Sequence, residues 1–202
     1  MVQNILFDMG GVLIRWDPAL FSRRLNLDEA DRRLLVREVY GELEWVHMDY
    51  GDLSEAEAIA SICRRVPKRL HGAVEQLVLR WHEPSAALPG ALDLVRDLSE
   101  AGYGLYLLSN AGPGHSAYWA QFPVSAYFAG RVFVSSAWHI LKPDRAFFET
   151  ALSHFDLERE TCVFTDDVPL NVFAARRCGM DGIVYHGPED LREKLRLRGV
   201  RI

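Results

Sequence analysis

The run Ile5-Leu6-Phe7 stops at Asp8, and Met9-Gly10-Gly11 follows. A short apolar run closed by turn residues reads as a buried strand. The same figure recurs along the chain. Gly104–Leu108 stops at Ser109-Asn110, and Arg131–Val134 stops at Ser135-Ser136. Cys162-Val163-Phe164 leads to Asp166-Asp167, and Gly182–Tyr185 stops at His186-Gly187. Helical periodicity fills the intervals. Ala91–Glu100 sets Leu92, Val95 and Leu98 on one face, and Asp144–His154 carries Phe147, Phe148, Ala151 and Leu152. Val168–Cys178 carries Val172, Ala175 and Cys178. Strands that alternate with helices specify an α/β fold, a parallel sheet with helices on both faces.

The stretch 16–87 breaks this rhythm. It has no strong strand candidate, and its segments Asp28–Tyr40, Ser54–Arg65 and Gly72–His82 read as helices. Ser54-Glu55-Ala56-Glu57 fits a capping box, in which hydroxyl and carboxylate each satisfy a free backbone amide. The expected organisation is a core of residues 1–15 and 88–202 with an all-helical insert, 16–87, after the first strand. Such an insert serves either as extra packing or as a lid.

The 202 residues suit a core domain with a smaller insert, and 49% of them are hydrophobic, enough for a substantial core. A net charge of −5 gives no general attraction to nucleic acid or anionic membrane. The apolar runs are too short to span a bilayer, and Met1–Asn4 does not resemble the start of a signal peptide. Cys63, Cys162 and Cys178 are scattered and odd in number, so reduced thiols and a cytoplasmic location are expected. Nothing in the sequence fixes an oligomeric state.

Ligands of a parallel α/β sheet sit outside the carboxyl ends of its strands. Asp8, Ser109 and Asp166-Asp167 each follow a different predicted strand, so the sheet should gather them at one rim. Carboxylates crowded together repel unless one is protonated or a cation compensates them. Oxygen ligands of this kind suit magnesium, which completes its shell with waters and substrate phosphate. Lys142 could add a second positive charge.

Phe7-Asp8-Met9-Gly10-Gly11-Val12-Leu13, Leu108-Ser109-Asn110, Lys142-Pro143-Asp144 and Asp166-Asp167-Val168-Pro169-Leu170-Asn171 resemble the four ordered motifs of the haloacid dehalogenase superfamily. The likeness spans nearly the whole chain. With His115 and Trp119 it is most similar to the branch that includes alpha-D-glucose-1-phosphate phosphatase. The resemblance implies a Rossmann-like, doubly wound core and a helical cap. It also implies a magnesium-dependent phosphatase acting on small phosphorylated metabolites, with sugar phosphates the first expectation. Asp8 would be the nucleophile that forms an aspartyl-phosphate. Ser109 would hold the transferring phosphoryl group with help from Asn110, and Lys142 would orient Asp8. Asp8, the Gly10 carbonyl, Asp166 and Asp167 would hold the metal.

One position departs from the pattern. Most phosphatases of the superfamily carry an Asp two residues after the nucleophile as general acid and base, and here that residue is Gly10. General acid–base help is worth roughly a hundred- to ten-thousand-fold. Either the substrate has a good leaving group, or another residue donates the proton, or catalysis is weak. His47 and His115 are the candidate donors, and Trp45 is expected beside them on the substrate side. Asn171 stands where many relatives have a further Asp, so it should support the site rather than bind metal. Two other functions fit parts of the pattern. A haloacid dehalogenase uses the same Asp without metal but gives no reason for Asp166-Asp167. A non-catalytic phosphate-binding protein accounts for Gly10 but not for the other site residues.

Overall fold

A computed structural model describes residues 1–83 and 88–202. The expected boundary between insert and core, at 87/88, therefore falls at the edge of the described residues. The chain opens with strand β1 (Asn4–Phe7). A helical stretch follows: α1 (Pro18–Arg23), α2 (Glu29–Tyr40), α3 (Leu43–Tyr50), α4 (Glu55–Cys63) and α5 (His71–Leu79). The α/β alternation then resumes with α6 (Ala91–Glu100), β2 (Gly104–Ser109), α7 (His115–Trp119), β3 (Val132–Val134) and α8 (Arg145–His154). It closes with β4 (Cys162–Asp166), α9 (Pro169–Arg177), β5 (Asp181–Val184) and α10 (Pro188–Arg196).

The strands form one parallel sheet in the order β3-β2-β1-β4-β5. The chain winds outward from β1 in one direction, then crosses to β4 and continues in the other. That reversal at β1/β4 is the switch point where doubly wound sheets bind ligands. The register sets the detail. Phe7 lies opposite Leu107 of β2 and Thr165 of β4. The next residue, Asp8, is therefore level with Leu108 and Asp166, and its amide still bonds to the Thr165 carbonyl at 2.9 Å.

The central strands are buried on both faces. Leu6, Leu108, Phe133 and Phe164 pack against Phe147, Phe148 and Ala151 of α8 on one side. Ile5, Phe7, Leu105 and Leu107 pack on the other side with Leu94, Val95 and Leu98 of α6. Leu94 takes the place expected for Leu92, which is only partly buried.

Within the insert, the Ser54–Glu57 capping box forms as expected: Glu57 N donates to Ser54 Oγ at 3.3 Å and Ser54 N to Glu57 Oε2 at 3.0 Å. Two insert helices escape the sequence reading. The six-residue α1 is too short for periodicity to show, although Asp17 caps it and Pro18 starts it. Helix α3 leaves Leu43 and Val46 exposed, so it lacks a clean apolar stripe. All three cysteines are free. Among the described residues no helix is long and apolar enough to cross a membrane.

Candidate active site

The strand ends deliver the polar residues the sequence places there. Lys142, in the loop before α8, reaches back to the switch point and is 2% exposed at its side chain. Its ammonium donates to Asp8 Oδ1 at 2.6 Å, Asp166 Oδ2 at 2.8 Å and the Leu108 carbonyl at 3.1 Å. An ammonium has three protons, and all are used. Burial works against the lysine's charge, but Asp8 and Asp166 outweigh it and hold Lys142 above its ordinary value. For Asp8, burial dominates: it pushes the carboxyl from 3.8 up to about 7, with Lys142 pulling it down and Asp166 raising it further.

Asp166 is fully occupied by the protein. Besides Lys142, its Oδ2 takes a bond from Asn171 Nδ2 at 3.0 Å, and its Oδ1 takes one from the Val168 amide at 2.8 Å. Asn171 thus supports the site through Asp166. Asp167 differs. Burial, then the charge of Asp166, raises its carboxyl, and among the described residues no other residue donates a hydrogen bond to it. One ligand oxygen from each of Asp8, Asp166 and Asp167 lies within 4.8 Å of the others. A single lysine among three carboxylates leaves negative charge in excess, and an all-oxygen donor set fits a hard divalent cation. Gly10 borders this cluster, and no backbone amide of the described residues donates to its carbonyl. Gly11 has φ +78, and a Cβ there would collide with the Asp167 carboxylate, so the turn that presents the cluster needs glycine.

Ser109 ends β2 with its hydroxyl only loosely held, 3.3 Å from the Asn110 carbonyl. Asn110 lines the cavity beside it. Its side chain clamps the Lys142 backbone, donating to the carbonyl at 3.0 Å and accepting from the amide at 2.8 Å. That bidentate clamp fixes the loop that carries the lysine, so the Asn110 amide group is already committed.

Asp8, Ser109, Lys142 and Asp167 line a cavity of about 340 Å³. Much of its remaining wall is aromatic. Trp16, Tyr40, Trp45, Trp81 and Tyr118 line it with Met48 and Val78. Ring centroids lie 4.9 Å apart for Trp16–Trp81, Tyr40–Trp45 and Trp81–Tyr118. Of the expected substrate-side residues, Asn110, Trp45 and His115 line the cavity. Burial lowers the His115 imidazole to about 4, so it is neutral at physiological pH, and its Nε2 is buried without a partner. His47 is not brought there; its side chain is half exposed and bonds Asp52 at 2.9 Å. Trp119, named with His115 in the family resemblance, is buried against Phe122 and Phe128 instead.

Residues 2–179 match the haloacid dehalogenase-like hydrolase family. The chain belongs to the haloacid dehalogenase-like hydrolases. Among curated relatives, "Sesquiterpene phosphatase astK" of Aspergillus oryzae is 23% identical over 96% of this chain and 93% of its own length. "Drimenol cyclase drtB" of Aspergillus calidoustus is 24% identical over 96% of this chain, which spans only 36% of that protein. Among solved structures, the family enzyme bt-2542 of Bacteroides thetaiotaomicron, described in complex with magnesium and inorganic phosphate, superposes with a TM-score of 0.68. It is 22% identical and covers 91% of this chain and 93% of its own.

Several wall residues of this hydrolase were not singled out from sequence. Trp16, Tyr40 and Tyr118 lie in or beside helices, where an aromatic residue ordinarily signals core. Asp49 belongs to α3, the helix with no clear amphipathic pattern. Trp16, two residues beyond Ile14, had only its proximity in sequence to the Gly10-Gly11 turn to mark it.

Proposed function

We propose that this hydrolase is a magnesium-dependent phosphatase. Its substrate would be the phosphate monoester of a small organic alcohol with a large apolar part, cleaved through an aspartyl-phosphate on Asp8. One observation carries the reading. Asp8 has one oxygen locked by Lys142, and it lines a cavity whose wall combines these polar groups with Trp16, Tyr40, Trp45, Trp81 and Tyr118. A nucleophile oriented in this way needs little further reorganisation. Ser109 offers a hydroxyl to the phosphoryl oxygens. Lys142 holds Asp8 in position and offsets charge as it attacks phosphorus. Asp8, Asp167 and the Gly10 carbonyl would hold the magnesium, with Asp166 beside them. Bound there, the ion would screen the meeting of two anions and stabilise charge on the transferring group.

The helical stretch 16–83 supplies most of the aromatic wall, which supports its reading as a cap that selects substrate. Sugar phosphates, the first expectation, would find few hydroxyl partners on that wall. Besides the groups around Asp8, its polar side chains are chiefly Asp49, Glu55 and His115. Apolar and aromatic walls instead favour an apolar leaving group. The name of the sesquiterpene phosphatase relative is consistent with this. The dehalogenase reading leaves Asp167 without a purpose, because an unneutralised carboxylate would repel the anions of that reaction.

The test is phosphate release with and without magnesium over isoprenoid, aryl-alkyl, nucleotide, acyl and sugar phosphates. Preference for the apolar esters is expected. Release of halide from 2-haloacids, with no phosphate from any ester, would overturn the reading.

A further inference from the structure

We propose that Asp49, on helix α3, is the general acid and base of this site, filling from the cap the role that Gly10 leaves vacant. The inference rests on the phosphatase reading above. Asp49 lines the same cavity as Asp8, Ser109 and Lys142. The other lining acids have other attachments. Asp8 is held by Lys142, Asp167 belongs to the oxygen cluster, and Glu55 packs against Gly114 in the first turn of α4. The Asp49 carboxyl has no hydrogen-bond partner among the described residues, although the residue is partly buried. An acid kept without partners on a cavity wall is available to a ligand.

Its backbone, in contrast, is fixed. Ser135 Oγ, at the end of β3, donates to the Asp49 carbonyl at 2.5 Å and accepts from the Ala111 amide at 3.0 Å. The next carbonyl, of Tyr50, lies 3.1 Å from His139 Nδ1. Gly51, at φ +89, lies so close to Ser136 that no side chain fits. The end of α3 is therefore fastened to the core beside β3, and Asp49 keeps a set position relative to Ser109.

The electrostatics suit the role. Burial, then the charge of Asp8, raises the Asp49 carboxyl from 3.8 to about 7, with Lys142 opposing. Tyr118 faces it from α7, and its phenol is raised by burial and then by Asp49. Tyr40, Glu55, His115 and Asp167 complete the ionisable groups on the surrounding wall. A general acid is most effective when its pKa lies near the working pH. His115, neutral at that pH, has no proton to give, and His47 lies elsewhere.

In the first step Asp8 bonds to phosphorus, and the bond from phosphorus to the ester oxygen breaks with its electron pair on oxygen. The Asp49 proton goes to that oxygen and the alcohol leaves. In the second step water attacks phosphorus, its proton passes to the Asp49 carboxylate, and Asp8 departs as carboxylate. Asp49 ends protonated, as it began.

The experiment compares the native protein with Asp49→Asn on two magnesium-supplemented substrates, an alkyl phosphate and p-nitrophenyl phosphate. The nitrophenolate leaves without a proton, whereas an alkoxide does not. The ratio of kcat/KM values for the two substrates is independent of how much of a preparation is folded. Asp49→Asn should shift that ratio against the alkyl ester by about a hundredfold or more. An unchanged ratio, whether through equal loss on both substrates or loss on neither, overturns the assignment while leaving the phosphatase reading intact. A native protein that releases no phosphate from either ester overturns the phosphatase reading itself.

Discussion

Lys142 Nζ lies 2.6 Å from Asp8 Oδ1, and Asp166 and the Leu108 carbonyl take its two remaining protons. The lysine therefore acts through Asp8 and has no proton to spare for the substrate. Removing it strands two carboxylates in a site where both are almost fully buried. Breaking such a pair on one side costs about 3–5 kcal/mol. Lys142→Met should lose stability of that order in urea titrations at neutral pH, and turnover with it. A Lys142→Met protein as stable as the native one would show that the lysine is not compensating the carboxylates.

Asp8→Asn should abolish turnover with the fold intact, because the amide oxygen can still accept from Lys142 but is a poor nucleophile. The same variant has a pH signature without metal. The folded Asp8 carboxyl is raised from 3.8 to about 7, mainly by burial. Between those values the native state holds a proton that the unfolded chain has lost. The group's contribution to stability therefore falls as pH rises through that window and is level above it. Asp8→Asn removes this loss, and it also relieves Asp49, which the Asp8 charge raises. In chelator, the melting temperature of Asp8→Asn relative to native protein should climb from about pH 4 to about pH 7 and then flatten. A difference that shrinks with rising pH would reverse the assignment.

The core was legible because its signals are local. Apolar runs cut off at Asp8, Ser109 and Asp166 mark strand ends, and the rules of parallel sheets carry those ends to one rim. Lys142 was readable through its motif, but its saturated hydrogen bonding was not, since it depends on a loop folding back by way of Asn110. The insert was half legible. Its helices with caps and stripes showed, while α3 stayed hidden because Leu43 and Val46 face solvent and blur its pattern. Asp49 went unseen for that reason. No spacing along the chain announces that the backbone carbonyl of an acidic residue in α3 will be tied by Ser135 to the edge of the sheet. The aromatic wall is a tertiary product too, because Trp16, Tyr40, Trp45 and Trp81 come from separate elements.

Asp166 and Asp167 should fail in different ways. Among the described residues Asp167 has no donor from another residue and is the carboxylate available to a cation, so Asp167→Ala should weaken magnesium binding and cost more activity at limiting metal. Asp166 is engaged by Lys142, Asn171 and the Val168 amide. Asp166→Ala should loosen Lys142, lower stability and respond little to added magnesium. Magnesium titrations of activity and of thermal stability separate the two. Rescue of Asp166→Ala, but not Asp167→Ala, by excess magnesium would interchange the roles.

Trp45 lines the cavity from α3 and is only partly buried, so its replacement tests the wall with less damage than Trp81 would cause. Trp45→Ala should raise KM for apolar phosphate esters while leaving kcat on acetyl phosphate within a few-fold of native. Loss of an aromatic contact of this kind is worth about 0.5–1.5 kcal/mol beyond the area it buries. Equal KM changes for acetyl phosphate and the apolar esters would mean that the aromatic wall does not meet the leaving group.

Gly10→Asp addresses the missing carboxyl directly, and the local geometry allows it. Unlike Gly11, Gly10 does not have a left-handed backbone, so a side chain adds no backbone strain there. A Cβ at Gly10 would meet Trp16 Cβ at 3.3 Å and Cγ at 3.7 Å. The first distance is tight and requires Trp16 to give by a few tenths of an ångström. That shift falls on a ring packed against Trp45 and Trp81, so some stability should be lost without loss of the fold. The new carboxyl would stand two residues from the nucleophile, where it can protonate a leaving group independently of α3. Placed in the Asp49→Asn background, Gly10→Asp should restore part of the turnover on alkyl phosphates and little on p-nitrophenyl phosphate, which needs no acid. Single-turnover formation of the aspartyl-phosphate across a leaving-group series reads this out in the chemical step rather than in binding. If the folded double variant stays as steeply dependent on the leaving group as Asp49→Asn alone, the position two residues after the nucleophile does not reach the ester oxygen. Gly10 would then reflect the demands of the Trp16 wall, not a transfer of the acid to the cap.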